Sequence, residues 1–224
     1  GLPSEQQQQA LFAAQQSSDM LPWHDGKLWL PVHQFGDIVE LIEMPCQHPL
    51  QPEQAAFLLG VLRIHANYLQ LLYEAERDML TGLLNRRKFD TRLYELLANR
   101  DGEHVLALID IDHFKSVNDR FGHLCGDEVI LYVVDKINAL NEQCSGWAAR
   151  IGGDEFLLAC PFSDKDYVER LCLEMSETIT GHSFKKGHSE YSIAISCGVA
   201  AYDGKETLEE FLERVDMKMY KNKT

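Results

Sequence analysis

Residues 147–160 read Trp147-Ala-Ala-Arg150-Ile-Gly152-Gly-Asp154-Glu155-Phe-Leu-Leu-Ala-Cys160. Trp147 to Ile151 and Phe156 to Cys160 are short apolar runs of strand length. Gly-Gly-Asp-Glu between them has turn chemistry, so the segment predicts a β-hairpin with two acids at its tip. The paired glycines tolerate φ > 0 and let a bulky phosphate approach the backbone. Upstream, Val105-Leu-Ala-Leu-Ile-Asp110 predicts a buried strand that ends on a carboxylate. A helix from about Gly126 to Asn141 lies between that strand and the hairpin. Beyond the hairpin the periodicity predicts a helix from Asp166 to Ile179, a strand from Tyr191 to Ala201 and a helix from Thr207 to Tyr220. From Val105 the order is β-α-β-β-α-β with a trailing helix, an α+β sheet of the ferredoxin-like split-βαβ type with helices on one face.

Working back toward the start, Asn85 caps a helix that runs to about Asn99. Pro52 suits a first helical position, and Leu58, Leu62, His65, Leu69, Leu72 and Met79 fall near one helical face. That predicts a helix of about 28 residues, ~42 Å long. It is too apolar to stand alone and can pair with a second copy or pack on its own domain. Lys27 to His33 and Ile38 to Met44 read as two strands around Phe35-Gly36-Asp37, a hairpin too small to carry a core by itself. Ser4 to Ser18 are Gln-rich and read as a frayed lead-in. The division expected is 1–50 as tail and β-hairpin, 51–79 as a signalling or linker helix, and 80–224 as the main domain. Gly1-Leu2-Pro3, without Met or a signal-peptide pattern, reads as the scar of an excised fragment whose upstream sensory region is missing.

The chain of 224 residues carries a net charge of −14. An acidic surface argues against nucleic acid as a partner, because such binding runs on Lys and Arg neutralising phosphates. It would also repel an anionic small substrate unless a metal ion travels with it. No apolar run is expected to reach the ~20 residues of a bilayer span, which predicts a cytoplasmic chain with no membrane partner. Six scattered cysteines without a C-x-x-C pair read as reduced core thiols, not as a disulfide framework or a zinc site.

Carboxylates gathered at strand ends suit Mg²⁺, which keeps waters and takes substrate phosphates as further ligands. The hairpin acids do not stand alone. Gly152-Gly-Asp-Glu-Phe156 with Arg150 before it, Asp78-x-Leu-Thr-Gly-Leu-x-Asn-Arg86, Asp110-x-Asp-x-Phe-Lys115-x-x-Asn118-Asp119 and Gly122-His123-x-x-Gly126-Asp127 occur in order. Together they resemble the GGDEF family of diguanylate cyclases, over about Asp78 to Thr224. The resemblance implies the nucleotidyl-cyclase form of the sheet and the joining of two GTP into cyclic di-GMP with loss of two pyrophosphates. It implies a catalytic homodimer in bacterial signal transduction, with Mg²⁺, or Mn²⁺ in its place, as cofactor.

By position, the resemblance makes Asp110, the carbonyl of Ile111, Asp154 and Glu155 the metal ligands. Asp154 and Glu155 are also catalytic positions, with Asp154 the family's suggested general base. Lys115 matches a lysine on the phosphates, and Lys223 a second one, although the basic residues that usually follow it are missing. Asn118, His123 and Asp127 match the substrate pocket. An ionised carboxylate at Asp127 can accept the N1–H and N2–H₂ of guanine and would face adenine's bare N1 unfavourably. An inhibitory product site of pattern R-x-x-D, usual in relatives, falls here on Gln143-Cys-Ser-Gly146, which predicts no product inhibition. Trp29 to Met79 vaguely resembles the end of a GAF sensory domain, and a plain packing hairpin remains open. Two competing functions are a catalytically silent GTP-binding regulatory module and a cyclase acting on a single nucleotide.

Overall fold

The computed structural model describes residues 22–34, 37–98, 102–187 and 189–222. The Ser4 to Ser18 lead-in, Phe35-Gly36 and Lys223 lie outside them. The chain forms two compact units, Gly1–Ala75 and Glu76–Thr224.

In the first unit, β1 (Trp23–His24), β2 (Lys27–Gln34) and β3 (Asp37–Pro45) form an antiparallel meander, followed by helix α1 (Pro52–Glu76). Leu28, Leu30 and Val32 alternate along β2, and Leu58, Leu62 and Leu69 of α1 join them in one cluster. Those leucines belong to the stripe read from sequence, so that face packs within its own unit. A second stripe is left in water. Phe57, Val61, Ile64, Tyr68 and Leu71 are 45 to 72% exposed, at spacings of four, three, four and three residues. The expectation that no segment is apolar enough for a bilayer fails at α1, whose 25 residues include a window of mean hydropathy 1.3. Arg63, His65, Asn67 and Gln70 interrupt the apolar run.

The helix stops at Glu76, three residues before the expected Met79. Beyond it Asp78 builds a turn: its carboxylate Oδ1 accepts from Thr81 N at 2.9 Å and Thr81 Oγ1 at 2.7 Å. The Asp78 N–H donates to Leu83 O and not along a helix. An Asx turn offers the backbone a local alternative to helical bonding.

The second unit continues with β4 (Leu84–Asn85), α2 (Arg86–Ala98), β5 (His104–Ile111), α3 (Phe114–Phe121), α4 (His123–Cys144), β6 (Trp147–Arg150), β7 (Glu155–Pro161), α5 (Lys165–Thr180), β8 (Phe184–Lys186), β9 (Ser189–Tyr191), β10 (Ile195–Ala201) and α6 (Leu208–Asn222). The main sheet has the order β10-β5-β7-β6-β4, antiparallel except for the β4–β6 pair. This is the expected split-βαβ topology with one added edge strand.

Helices on one face was the wrong expectation. One core cluster joins α4 and α5 to the sheet, and another joins α2 and α6 to its opposite side. The cause was visible in β5, all eight residues of which are buried. A strand without polar alternation must be covered on both faces. Caps fix the helix starts: Asn85 Oδ1 accepts from Lys88 N, and Asp164 Oδ1 from Tyr167 N. Thr207 and Glu210 close a reciprocal capping box at α6. The expected strand Tyr191 to Ala201 is two strands: β9 ends at Tyr191 and pairs with β8 in a separate two-stranded sheet, and β10 begins at Ile195 in the main one.

Candidate active site

The last residues of β5 and the first of β7 meet in register. Asp110 pairs directly with Glu155, and the next link is a hydrogen bond from Ile111 N–H to Asp154 O at 3.1 Å. Antiparallel pairing therefore gathers Asp110, Ile111, Asp154 and Glu155 at one end of the sheet. Asp110 is 4% exposed. Asp112, two residues on, serves the fold instead. Its Oδ1 accepts from Ser196 Oγ at 2.7 Å, tying β10 to the loop after β5. Strand alternation sends Asp110 and Asp112 to the same face, where Ser196 holds Asp112.

The hairpin tip is held from behind. Arg150 donates from Nη2 and Nε to Gly153 O at 2.7 and 3.2 Å, while its Nη1 reaches Asp78 Oδ1 at 3.2 Å. One guanidinium thus clamps the tip to the turn that follows α1. Burial opposes ionisation of Asp78, but the Thr81 hydrogen bonds and the Arg150 charge outweigh it and hold its carboxyl below the ordinary value. Arg150 and Asp78 were quoted from sequence only as motif residues. No sequence signal pairs them, because they lie 72 residues apart.

Neither tip glycine has the positive φ that the sequence suggested. Their use is space. A Cβ at Gly152 would stand 2.8 Å from Glu155 Oε2, whereas one at Gly153 would meet nothing within 4 Å. The first glycine admits the Glu155 side chain, and the second leaves the tip open to an incoming group.

The remaining candidates sit on α3 and α4. His113, at φ 56°, turns the chain into α3 in a left-handed conformation uncommon for a non-glycine residue. Lys115 is exposed in the first turn of α3. Gly122, at φ 86°, separates α3 from α4, so the helix expected from Gly126 begins at His123. His123 is exposed at that start, and Asp127 is half-buried one turn later. The half-buried amide of Asn118 packs on Gly126, where a Cβ would lie 2.0 Å from Asn118 Oδ1. The motif glycine therefore makes room for Asn118 beside the backbone that carries Asp127.

Among the described residues no three His, Cys, Asp or Glu side chains converge into a ready-made cation cage. One buried carboxylate, a backbone carbonyl and two hairpin acids instead form an open set of hard oxygen donors. That set fits Mg²⁺, which is usually bound by one or two carboxylates plus substrate phosphates. At the position where the resemblance sets the aspartate of R-x-x-D, a Cβ on Gly146 would lie 2.3 Å from Ala159 O. The backbone itself excludes an aspartate there.

The family model described as "Diguanylate cyclase, GGDEF domain" matches residues 75–224. The chain is 35% identical over 153 residues to diguanylate cyclase DgcP of Pseudomonas aeruginosa, covering 67% of this chain and 23% of that protein. It is 36% identical over 159 residues to the response regulator PleD of Caulobacter vibrioides, covering 66% and 34%. Its fold is similar to the coiled coil and GGDEF domain of DgcB from Caulobacter crescentus, solved in complex with c-di-GMP. There the TM-score is 0.70 at 30% identity, over 75% of this chain and 91% of that one.

Proposed function

The chain belongs to the GGDEF diguanylate cyclase family, and from that membership we propose that it condenses two GTP into cyclic di-GMP and two pyrophosphates. The reading places it in the cytoplasm, in bacterial second-messenger signalling. The register that sets Asp110 opposite Glu155 and bonds Ile111 N–H to Asp154 O carries the proposal.

Asp110, the Ile111 carbonyl, Asp154 and Glu155 are the residues that would hold Mg²⁺, or Mn²⁺ in its place. When bound, such ions polarise a phosphate and neutralise a leaving pyrophosphate. The chain's own residues do the rest. Asp127 accepts from the guanine N1–H and N2–H₂, and Asn118, fixed against Gly126, reads the remaining edge of the base. Lys115 and Lys223 set positive charge against the phosphates, which matters most as charge shifts to the leaving group. The open backbone at Gly153 lets the phosphates approach the tip. The 3′-hydroxyl of one GTP attacks the α-phosphorus of the other, the bond to pyrophosphate breaks, and the hydroxyl proton leaves to a carboxylate at the tip or to water. Asp154 is the candidate acceptor, although a carboxylate already neutralised by a cation is a weak base.

Each domain has one GTP site, so the product requires two domains face to face. The exposed α1 stripe supports a homodimer: alternating four- and three-residue spacings are those of a coiled-coil seam. Phe57, Val61, Ile64, Tyr68 and Leu71 would line it, on a stripe separate from the leucines committed to β2.

The test is to incubate pure protein with Mg²⁺ and either GTP or ATP and identify the products by mass. Cyclic di-GMP from GTP, no cyclic product from ATP, and loss of product with Asp154→Ala are expected. GTP bound without turnover would replace this reading with the silent regulatory module.

A further inference from the structure

Away from the acids, four of the five cysteines of the second unit lie on α4, β7, α5 and β10 in two neighbouring pairs. Cys144 and Cys160 are 4 and 0% exposed, and both belong to the same core cluster. Cys172 of α5 and Cys197 of β10 are also neighbours, but this pair is not sealed. Both line a pocket of about 420 Å³ beside the outer edge of β10, together with Glu169, Ser176 and Ser196. Cys172 is 2% exposed, and Cys197 is partly open to solvent.

A neighbouring contact fixes how α5 lies along β10. Ser176 Oγ donates to Ile195 O at 3.4 Å. From Ser176 back to Cys172 is one helical turn, about 6 Å. From Ile195 forward to Cys197 is two strand residues, about 6.6 Å. The helix and the strand therefore run antiparallel in step, and the second rung of the same ladder is the thiol pair. The Cys197 thiol and burial together hold the Cys172 thiol above its ordinary pKa, so Cys172 is the resolving partner and not the first to react.

We propose that Cys172 and Cys197 form a reversible dithiol–disulfide site, oxidised by a peroxide-class two-electron oxidant that enters through the β10-edge pocket. Cys197 sulfur takes a hydroxyl from the peroxide: an S–O bond forms, the O–O bond breaks, and the departing hydroxide leaves as water with the thiol's proton. Cys172 sulfur then attacks Cys197 sulfur, the S–S bond forms, the S–O bond breaks, and the second hydroxide leaves as water with the proton of Cys172. Two thiols become one disulfide, and one peroxide becomes two waters. The bridge would tie α5 to the edge strand whose Ser196 holds Asp112 and pairs with Asp110.

The experiment treats the folded chain with hydrogen peroxide, blocks remaining thiols, and maps the peptides by mass spectrometry, with and without dithiothreitol. A loss of about 2 Da, located in a Cys172–Cys197 cross-linked peptide and reversed by the reductant, is expected. Cys197→Ser should abolish the bridge and leave Cys172 as a free thiol. Phenylarsine oxide, which needs two adjacent thiols, provides a second readout: one accessible equivalent in the unmodified chain and none in Cys197→Ser. Over-oxidation of Cys197 without a bridge, a bridge at Cys144–Cys160 in its place, or arsenical binding that survives Cys197→Ser would each overturn the proposal. None of these readouts depends on GTP turnover.

Discussion

Arg150→Ala removes the clamp between the hairpin tip and the Asp78 turn, and its cost follows from the contacts. The change deletes two charge-assisted hydrogen bonds to Gly153 O, at 2.7 and 3.2 Å, and the 3.2 Å ion pair with Asp78. The Arg150 and Asp78 side chains are 14 and 26% exposed, so solvent screens the pair only in part. Asp78 keeps its Thr81 bonds, which limits the penalty for the stranded carboxylate. A loss of about 2–3 kcal/mol is expected, within the range for charged hydrogen bonds in partly buried sites. For a chain of this size that lowers Tm by roughly 4–12 °C. GTP turnover measured well below that Tm should also fall, by about tenfold, because the tip acids lose their fixed backbone. Arg150→Lys should restore little, since a single ammonium cannot span both partners. The assay is a double-mutant cycle with Asp78→Asn, followed by thermal unfolding and by initial rates. A coupling of about 1 kcal/mol or more is expected between the two sites. A Tm unchanged within about 1 °C, or strictly additive single mutants, would refute the clamp.

Gly126→Ala should raise the KM for GTP roughly tenfold, because a Cβ 2.0 Å from Asn118 Oδ1 displaces that amide, and its 3.1 Å approach to the buried Phe114 ring should lower Tm modestly. Parallel steady-state kinetics and melting curves check both. Asp78 should also shape acid unfolding. Its carboxyl is held below the ordinary 3.8, so its contribution is full above that pH and drains away as pH falls through the lower folded-state value. The stability difference between the wild type and Asp78→Asn should therefore be flat near neutrality and shrink below about pH 4 in urea titrations. Ile64→Asp, in the exposed α1 stripe, should yield a monomer by sedimentation and abolish turnover at micromolar protein, while the melting of the catalytic unit stays put. Gln143→Arg with Gly146→Asp should fail to install product inhibition, because the new Cβ collides with Ala159 O. Cyclic di-GMP titration of that variant reads the result.

The acids were legible in the sequence because each stands at the end of a short apolar run of strand length, but the register between those runs appears only in the folded sheet. Asp110 opposite Glu155 follows from that register. The α3–α4 break was not legible: it depends on Gly122 at φ 86°, and the helical pattern continues on both sides of it. The two-sided helix packing was written in the unbroken apolar run of β5, but the split-βαβ pattern was read with one covered face. On α1 the apolar positions form two stripes. Sequence alone favoured the leucine-rich one, which the β2 sheet takes up, counted Tyr68 against a paired seam, and left Phe57, Val61, Ile64 and Leu71 unremarked. The role of Arg150 was hidden for a different reason. Its two partners lie 3 and 72 residues away, and only the folded chain brings them to one guanidinium.

Whether the β5 end and the hairpin tip share a divalent cation beside a guanine nucleotide is tested most directly by anomalous diffraction. A crystal of the chain would be grown with Mn²⁺ and a non-hydrolysable GTP analogue. The account predicts an anomalous peak within bonding distance of Asp110, the Ile111 carbonyl and the hairpin acids, with the analogue's phosphates on its open side and its base toward Asn118 and Asp127. Nucleotide density in that pocket with no peak at Asp110, or a peak remote from Asp154 and Glu155, would contradict it.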